Sequence, residues 1–314
     1  MITVASYLMG IPPGNNNPEK PQLLKDFIAG VNTCGDKGAV VQGWHPMDTD
    51  VAVVQGFVHP GSKNVRHLNL RKDVHLNQLR RNKRTIFVDS NLFLAYDKGN
   101  SKTYLRYSYD GIFPTTGDYC DENPNPSRWG KLQKDLNITV KPWKLNSGDN
   151  ILICCQRDGG WSMDGVRTVD FVASTINKIR KYSDRPIVIR FHPGDKRISD
   201  HIKTIARMKL PKLRVSTNES IFDDLASARA VVNYNSSPSV VSVIEGVPTF
   251  VLDPARSQAA EVTHHDLRFL DSPQEFDREP CLRRLAQFHW TLTELRSGEA
   301  WRHLKKYANK EPKI

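Results

Sequence analysis

The strongest constraint on the fold is a regular alternation in the second half of the chain. Short apolar runs at residues 151–155, 186–191, 213–215, 230–234 and 249–253 alternate with stretches of helical spacing at 166–181, 200–208, 221–227 and 238–245. Runs that are apolar throughout, bounded by Gly, Pro or Asp, suit strands covered on both faces, and therefore a parallel sheet. Strand and helix in strict turn predict right-handed crossovers and a doubly wound α/β domain. Such sheets bind ligands at the carboxyl ends of their strands, so the loops after each apolar run are the first places to look for chemistry.

The first half carries the same signal in weaker form. The first residues, then 39–43, 51–56 and 85–89, read as strands, with helices at 23–31 and 73–81. Residues 97–130, rich in Tyr, Gly, Asp, Asn and Pro, read as a long irregular excursion, and turn residues between 140 and 149 mark a boundary. One or two helices are expected over 282–307. The expected organisation is a Rossmann-like domain over 1–145, a second over 146–280, and a terminal segment over 281–314.

Composition removes several function classes. Hydrophobic residues make up 39% and charged residues 25% of the 314, as in an ordinary globular protein. No apolar run approaches the ~20 residues that span a bilayer, and the N-terminus lacks the basic start of a signal peptide. Five cysteines without metal-ligand spacing argue for a reducing compartment and against a zinc site. A cytoplasmic monomer without membrane contact or metal is the expectation. Lys plus Arg number 45 against 34 acids, a net charge of +11, which points to polyanionic or phosphorylated partners.

Three strand-end segments carry the chemistry. The first is Asn233-Tyr234-Asn235-Ser236-Ser237-Pro238-Ser239, where a strand gives way to a helix opened by serines and proline. Free N–H groups and the positive end of a helix dipole suit an anion there, while the plainer reading makes Ser236, Ser237 and Ser239 helix caps. Glu245 ends that helix, where a carboxylate opposes the dipole, so its position suggests another duty; Gly246 and Pro248 terminate the helix. The second segment contains Arg190, His192 and Lys196, and the third contains Arg157 and Trp161 in a Gly-rich loop. Cations at these places would offset charge on a departing diphosphate.

His192-Pro193, then Ser236-Ser237-x-Ser239, then Glu245-Gly246-x-Pro248 resemble GT-B fold glycosyltransferases, specifically capsular polysaccharide (Kdo-transferase-like) proteins. The tail Trp290-Thr291-Leu292-x-Glu294-Leu295-x-Ser297-Gly298-Glu299-Ala300-Trp301 resembles the end of those proteins. The resemblance covers about residues 150 to 305. It implies two Rossmann-like domains with a cleft between them, terminal helices packing back on the first, and no obligatory metal or cofactor. It also implies a nucleotide-sugar donor, expected to be UDP-linked, on the second domain, with His192 and the serines on phosphates and Glu245 on the ribose. By its compactness and basic charge the chain is similar to a second branch, the bacteriophage enzymes that add glucose or arabinose to 5-hydroxymethylcytosine in DNA.

Transfer to 5-hydroxymethylcytosine in double-stranded DNA is accordingly the leading expectation, with a capsular or surface polysaccharide acceptor as the alternative. A non-catalytic nucleic-acid-binding module is a further alternative. An inverting transfer needs a base, and Asp89, Asp110 and His59 are the candidates in that order, each with a turn or cap role as its plainer reading. For DNA, residues 66–72 and Arg80, Arg81, Lys83 and Arg84 would meet phosphates. Tyr104, Tyr107, Tyr109, Trp129 and Trp161 would be available to stack on or near an extruded base.

Overall fold

The computed structural model of the chain describes residues 1–12, 19–57, 65–97, 104–159, 161–208 and 210–313, without the side chains of Glu19 and Trp161. It divides into two compact units, Met1–Leu136 with Arg283–Ile314, and Asn137–Leu282. The first unit opens with β1 (Thr3–Tyr7), α1 (Glu19–Thr33), β2 (Lys37–Val41), β3 (Val51–Gln55), α2 (Arg66–Arg80), β4 (Arg84–Asp89), β5 (Tyr104–Tyr109) and α3 (Pro126–Leu136). The second contains β6 (Asn150–Cys154), α4 (Thr168–Ile179), β7 (Ile187–Arg190), α5 (Ile198–Arg207), β8 (Leu213–Val215), α6 (Ile221–Ser227), β9 (Ala228–Asn233), α7 (Pro238–Ile244) and β10 (Thr249–Val251). The boundary falls within α8 (Glu279–Gln287), and β11 (His289–Thr291), α9 (Leu292–Arg296) and α10 (Glu299–Leu304) belong to the first unit.

The second unit is one parallel sheet in the order β10-β9-β6-β7-β8. Its inner residues, among them Ile151, Ile153, Ile187, Ile189, Ala230 and Val232, pack against Phe171, Val172, Ile176 and Ile205 of α4 and α5. The turn-rich stretch after Leu136 belongs to this unit because its backbone is tied there. Lys141 N donates to Ile244 O at 2.8 Å and Lys144 N to Gly246 O at 2.7 Å, which moves the division from the expected residue 145 to Leu136. Gly246 makes that contact possible: its φ is +74°, and a Cβ there would lie 1.9 Å from Pro142 O.

The first unit departs from the all-parallel expectation. Its sheet runs β11-β5-β4-β3-β1-β2, parallel from β2 to β4, with β5 and β11 antiparallel at one edge. Both antiparallel strands lie where the sequence reads as irregular chain or helix. Tyr-Leu-Arg-Tyr-Ser-Tyr has no clean alternation, and its polar groups are met unevenly, Tyr107 Oη and Arg106 Nε being buried without a hydrogen-bond partner among the described residues. Arg106 pairs with Asp89, and Ser108 Oγ donates to Gly111 O at 2.5 Å. Helix α3 likewise replaces part of the expected excursion, opened by Pro126 and by Asn125 Oδ1 accepting from Ser127 N at 3.0 Å. On the core side, Leu24, Phe27 and Val31 of α1 meet Val53, Ile86, Tyr107 and Trp301. Gly30 lets α1 approach α9 closely, since a Cβ there would sit 1.8 Å from Leu295 O.

His289 ties β11 into this unit as a neutral imidazole. Its Nε2 accepts from Leu92 N at 3.1 Å and its Nδ1 donates to Leu285 O at 2.7 Å. Complete burial pulls its pKa from 6.5 down to about 3. The unfolded chain therefore takes the proton first, and stability falls as pH drops from about 6.5 towards about 3. At pH 5 this one group is expected to remove about 2 kcal/mol relative to pH 7. Urea midpoints at the two pH values should differ accordingly, and His289→Gln should remove that share of the difference; a profile unchanged by the substitution would contradict the assignment.

Candidate functional site

Strands β9, β6 and β7 are neighbours, so the loops after them share one edge of the second sheet. The loop after β7 is built on Asp195, which is buried and accepts from Asp158 N at 2.9 Å and Arg197 N at 2.8 Å. Burial pushes the Asp195 carboxyl up, but those two amides and His201, 3.3 Å away, bring it below its ordinary value. Asp158 completes the brace: it accepts from Thr168 N at 2.8 Å and pairs with Arg197 at 2.9 Å. The β6 and β7 loops are thereby locked together through carboxylates four and five residues beyond the strands' ends, a link with no local signature in the sequence.

On this brace stand His192 and Arg157. His192 Nδ1 accepts from Gly194 N at 2.9 Å, which places the ring proton on Nε2. Burial, with the Arg157 guanidinium beside it, holds the imidazole below its usual pKa, so the ring is a neutral donor at pH 7. Arg157 lies against Gly194, where a Cβ would come within 2.8 Å of its Nη2. It is exposed and has no hydrogen-bond or ion-pair partner among the described residues; the same holds for Lys196. Two uncompensated cations and an imidazole N–H on one loop pair form an anion-binding edge.

Asn235 joins the loop after β9 to the loop after β6. Its N–H reaches Gln156 Oε1 at 3.4 Å, and its Nδ2 donates to Ser162 O at 3.0 Å and Asp253 Oδ2 at 2.9 Å. The serines do not cap α7 as the plainer sequence reading expects. Ser237 sits at the N-cap in helical conformation without a side-chain cap bond, and Ser239 Oγ donates to Ser236 O at 2.8 Å. Ser236 Oγ is buried without a hydrogen-bond partner.

Two expected donor contacts look different in three dimensions. Arg190 is not available to an anion. Its guanidinium donates to the carbonyls of Asn218 at 2.9 Å and Glu219 at 2.7 Å and pairs with Asp224 at 2.7 Å, so it clamps the segment before α6. Glu245, buried at the C-terminal end of α7, is paired with Lys141. That cation answers the unfavourable dipole; it lies 104 residues away and could not be inferred locally.

In the first unit, Asp89 ends β4 and is partly exposed, with Oδ2 held by Arg106 and Oδ1 without a hydrogen-bond partner among the described residues. Asp110 is a structural residue instead. At φ +66° it accepts from Arg84 Nε at 2.8 Å, Thr85 N at 3.2 Å and Lys313 N at 3.1 Å, fully enclosed. His59 lies outside the described residues, as does the side chain of Trp161.

The expected DNA-facing residues are largely internal or committed. Arg84 is 1% exposed and Tyr107, stacked on Phe27 at 6.1 Å, is fully buried, as are Tyr104 and Tyr109; Trp129 is 2% exposed. Arg81 pairs with Asp48 at 3.5 Å and Lys83 with Asp50 at 2.9 Å, leaving Arg80 exposed at the last turn of α2. The tract also precedes β4 whereas Asp89 ends it, a separation of about 17 Å along an extended strand. Sequence reading missed Arg106, and it counted Arg71 only within the basic tract 66–72 expected to meet DNA phosphates, not as a buried residue. The signal for Arg71 was present, because it falls on the buried stripe of α2 with Leu70, Val74 and Gln78.

Among the described residues, no group of three His, Cys, Asp or Glu is placed to hold a metal ion, and no helix is long and apolar enough to cross a membrane. No family description matches the sequence, and no curated protein matches it. Solved structures do. The chain is similar to Thermosulfurimonas dismutans KpsC, beta Kdo 2,4 transferase, over 92% of each chain, with a TM-score of 0.56 and 12% identity. It is also similar to the beta Kdo 2,7 transferase of Thermosulfurimonas dismutans KpsC over 96% of this chain and 99% of that one, with a TM-score of 0.54 and 13% identity. These similarities and the two sheets above give the chain the GT-B fold, with two Rossmann-like domains.

Proposed function

We propose that the chain is a nucleotide-sugar-dependent glycosyltransferase, with the donor's phosphates on the loops after β6 and β7 and a glycan as acceptor. The observation that carries this reading is the unpaired Arg157 guanidinium beside a neutral His192 whose Nε2–H is free of partners among the described residues. When the bond from the anomeric carbon to the donor phosphate breaks, negative charge accumulates on the departing nucleotide. Fixed donors already aimed at that charge lower the barrier without reorganising. Asp89 is the proposed acceptor of the proton lost by the attacking hydroxyl, through Oδ1, and Glu245 the proposed partner of the donor ribose.

A glycan acceptor is favoured over 5-hydroxymethylcytosine because the two similar structures described above are named Kdo transferases. The aromatic and basic residues earmarked for DNA are also mostly enclosed or paired. Calorimetry of the full chain with UDP, GDP, CDP and CMP should find one nucleotide that binds, and Glu245→Gln should weaken it. Incubation of the matching nucleotide sugar with acidic oligosaccharides and, separately, with 5-hydroxymethylcytosine duplex DNA should add sugar mass to the oligosaccharide. Mass gained only on DNA would replace the glycan reading, and no nucleotide binding at all would remove the transferase reading.

A further inference from the structure

Arg71 is the one arginine of α2 on its buried face, 5% exposed, and its guanidinium crosses the carboxyl edge of the first sheet. Nε donates to Gly10 O, just beyond β1, at 2.6 Å. Gly56, just beyond β3, has φ +88°, and a Cβ there would lie 2.5 Å from Nη1, so the glycine leaves the berth the guanidinium occupies. Asp89 ends the next strand, yet it is outside ion-pair distance of Arg71 and is paired with Arg106 instead. Among the described residues Nη1 and Nη2 therefore have neither a hydrogen-bond nor an ion-pair partner.

A buried cation without an ion-pair partner is costly: burial pulls its pKa from 12.5 down to about 10 even though the Asp89 charge acts in the opposite sense. The group stays protonated at neutral pH and presents two parallel donor groups, the geometry that matches carboxylate or phosphate oxygens. Its position is where an open α/β sheet receives ligands. We propose that Arg71 is an oxyanion subsite for the acceptor, taking a carboxylate or phosphate carried by the sugar chain. The assignment to an acceptor rests on the transferase reading; the anion site itself does not.

The test separates the two. Phosphate and glucuronate are titrated into the full chain carrying Arg157→Ala, which removes the cation of the second unit's loops, with and without Arg71→Gln. Arg71→Gln is expected to weaken one or both anions about ten- to hundredfold, and which anion responds distinguishes a phosphorylated from a carboxylated acceptor. Arg71→Lys, which keeps the charge without the fork, serves if the glutamine variant does not fold and is expected to weaken binding in the same direction. Unchanged affinity for both anions in a folded Arg71 variant would overturn the proposal. UDP calorimetry runs alongside: anion binding that depends on Arg71 in a chain that binds no nucleotide keeps the subsite and drops the transferase.

Discussion

Replacing Arg84 with methionine is expected to destabilise the first unit by about 3–5 kcal/mol, as the removal of one partner from a buried ion pair does. Arg84 is 1% exposed and its guanidinium is fully used: Asp110 at 2.7 and 2.8 Å, Asp118 at 2.9 Å, Tyr307 O at 2.9 Å, and the face of Tyr109 at 4.3 Å. It joins the start of β4 to the turn after β5 and to the C-terminal segment. Methionine fills a similar volume but strands the enclosed Asp110 carboxylate, with only the Thr85 and Lys313 amides beside it. Adding Asp110→Asn should recover part of the loss, because the orphaned charge goes with it and asparagine tolerates the left-handed backbone. Urea unfolding of the single and double variants, followed by tryptophan fluorescence, measures this coupling. The DNA-contact expectation for Arg84 makes the opposite forecast, weakened DNA binding at unchanged stability, so the same experiment decides between them.

Arg157→Ala is expected to lower transfer by about 10²–10³-fold, the range found when one fixed donor to a developing charge is removed. The residue is exposed and unpaired among the described residues, so the fold should not notice its loss, and melting should stay within about 0.5 kcal/mol of wild type. If the guanidinium acts on the departing nucleotide, kcat should fall more than KM rises, since the interaction strengthens as the bond breaks. A rise in KM alone would make Arg157 a ground-state phosphate contact, and no change in either would remove it from the site. His192→Ala should act in the same sense with a smaller effect, because the neutral imidazole contributes one hydrogen bond and no charge.

The regular second half was the most legible part of the chain. Runs such as Ile-Leu-Ile-Cys are buried on both faces of a parallel sheet, so burial and hydrophobicity coincide and the local pattern suffices. It also placed the loops of His192 and Arg157 on one edge, because parallel strands all end on the same side. The first half was harder at β5 and β11. An arginine, a serine and three tyrosines in one strand read as surface, yet Arg106 pairs with Asp89, and Tyr104 and Tyr109 bond Asp135 and Leu304 O, groups that only the folded chain brings near. The basic tract misled for the same reason, since nothing local distinguishes enclosed Arg84 from exposed Arg80 four residues before it.

What the sequence by itself determined is the architecture of alternating strands and helices and the edge on which ligands would sit, because both follow from short-range periodicity and the handedness of the chain. What only the tertiary structure decided is which charges are spent and which are free. Arg84 finds Asp110, Arg190 finds Asp224, and Glu245 finds Lys141, while Arg157 and Arg71 find no such partner among the described residues. A charge is neutralised by whatever lies within about 4 Å, and distance in space across 26, 34 or 104 residues of chain is set by the packing of the whole unit, not by neighbours in sequence.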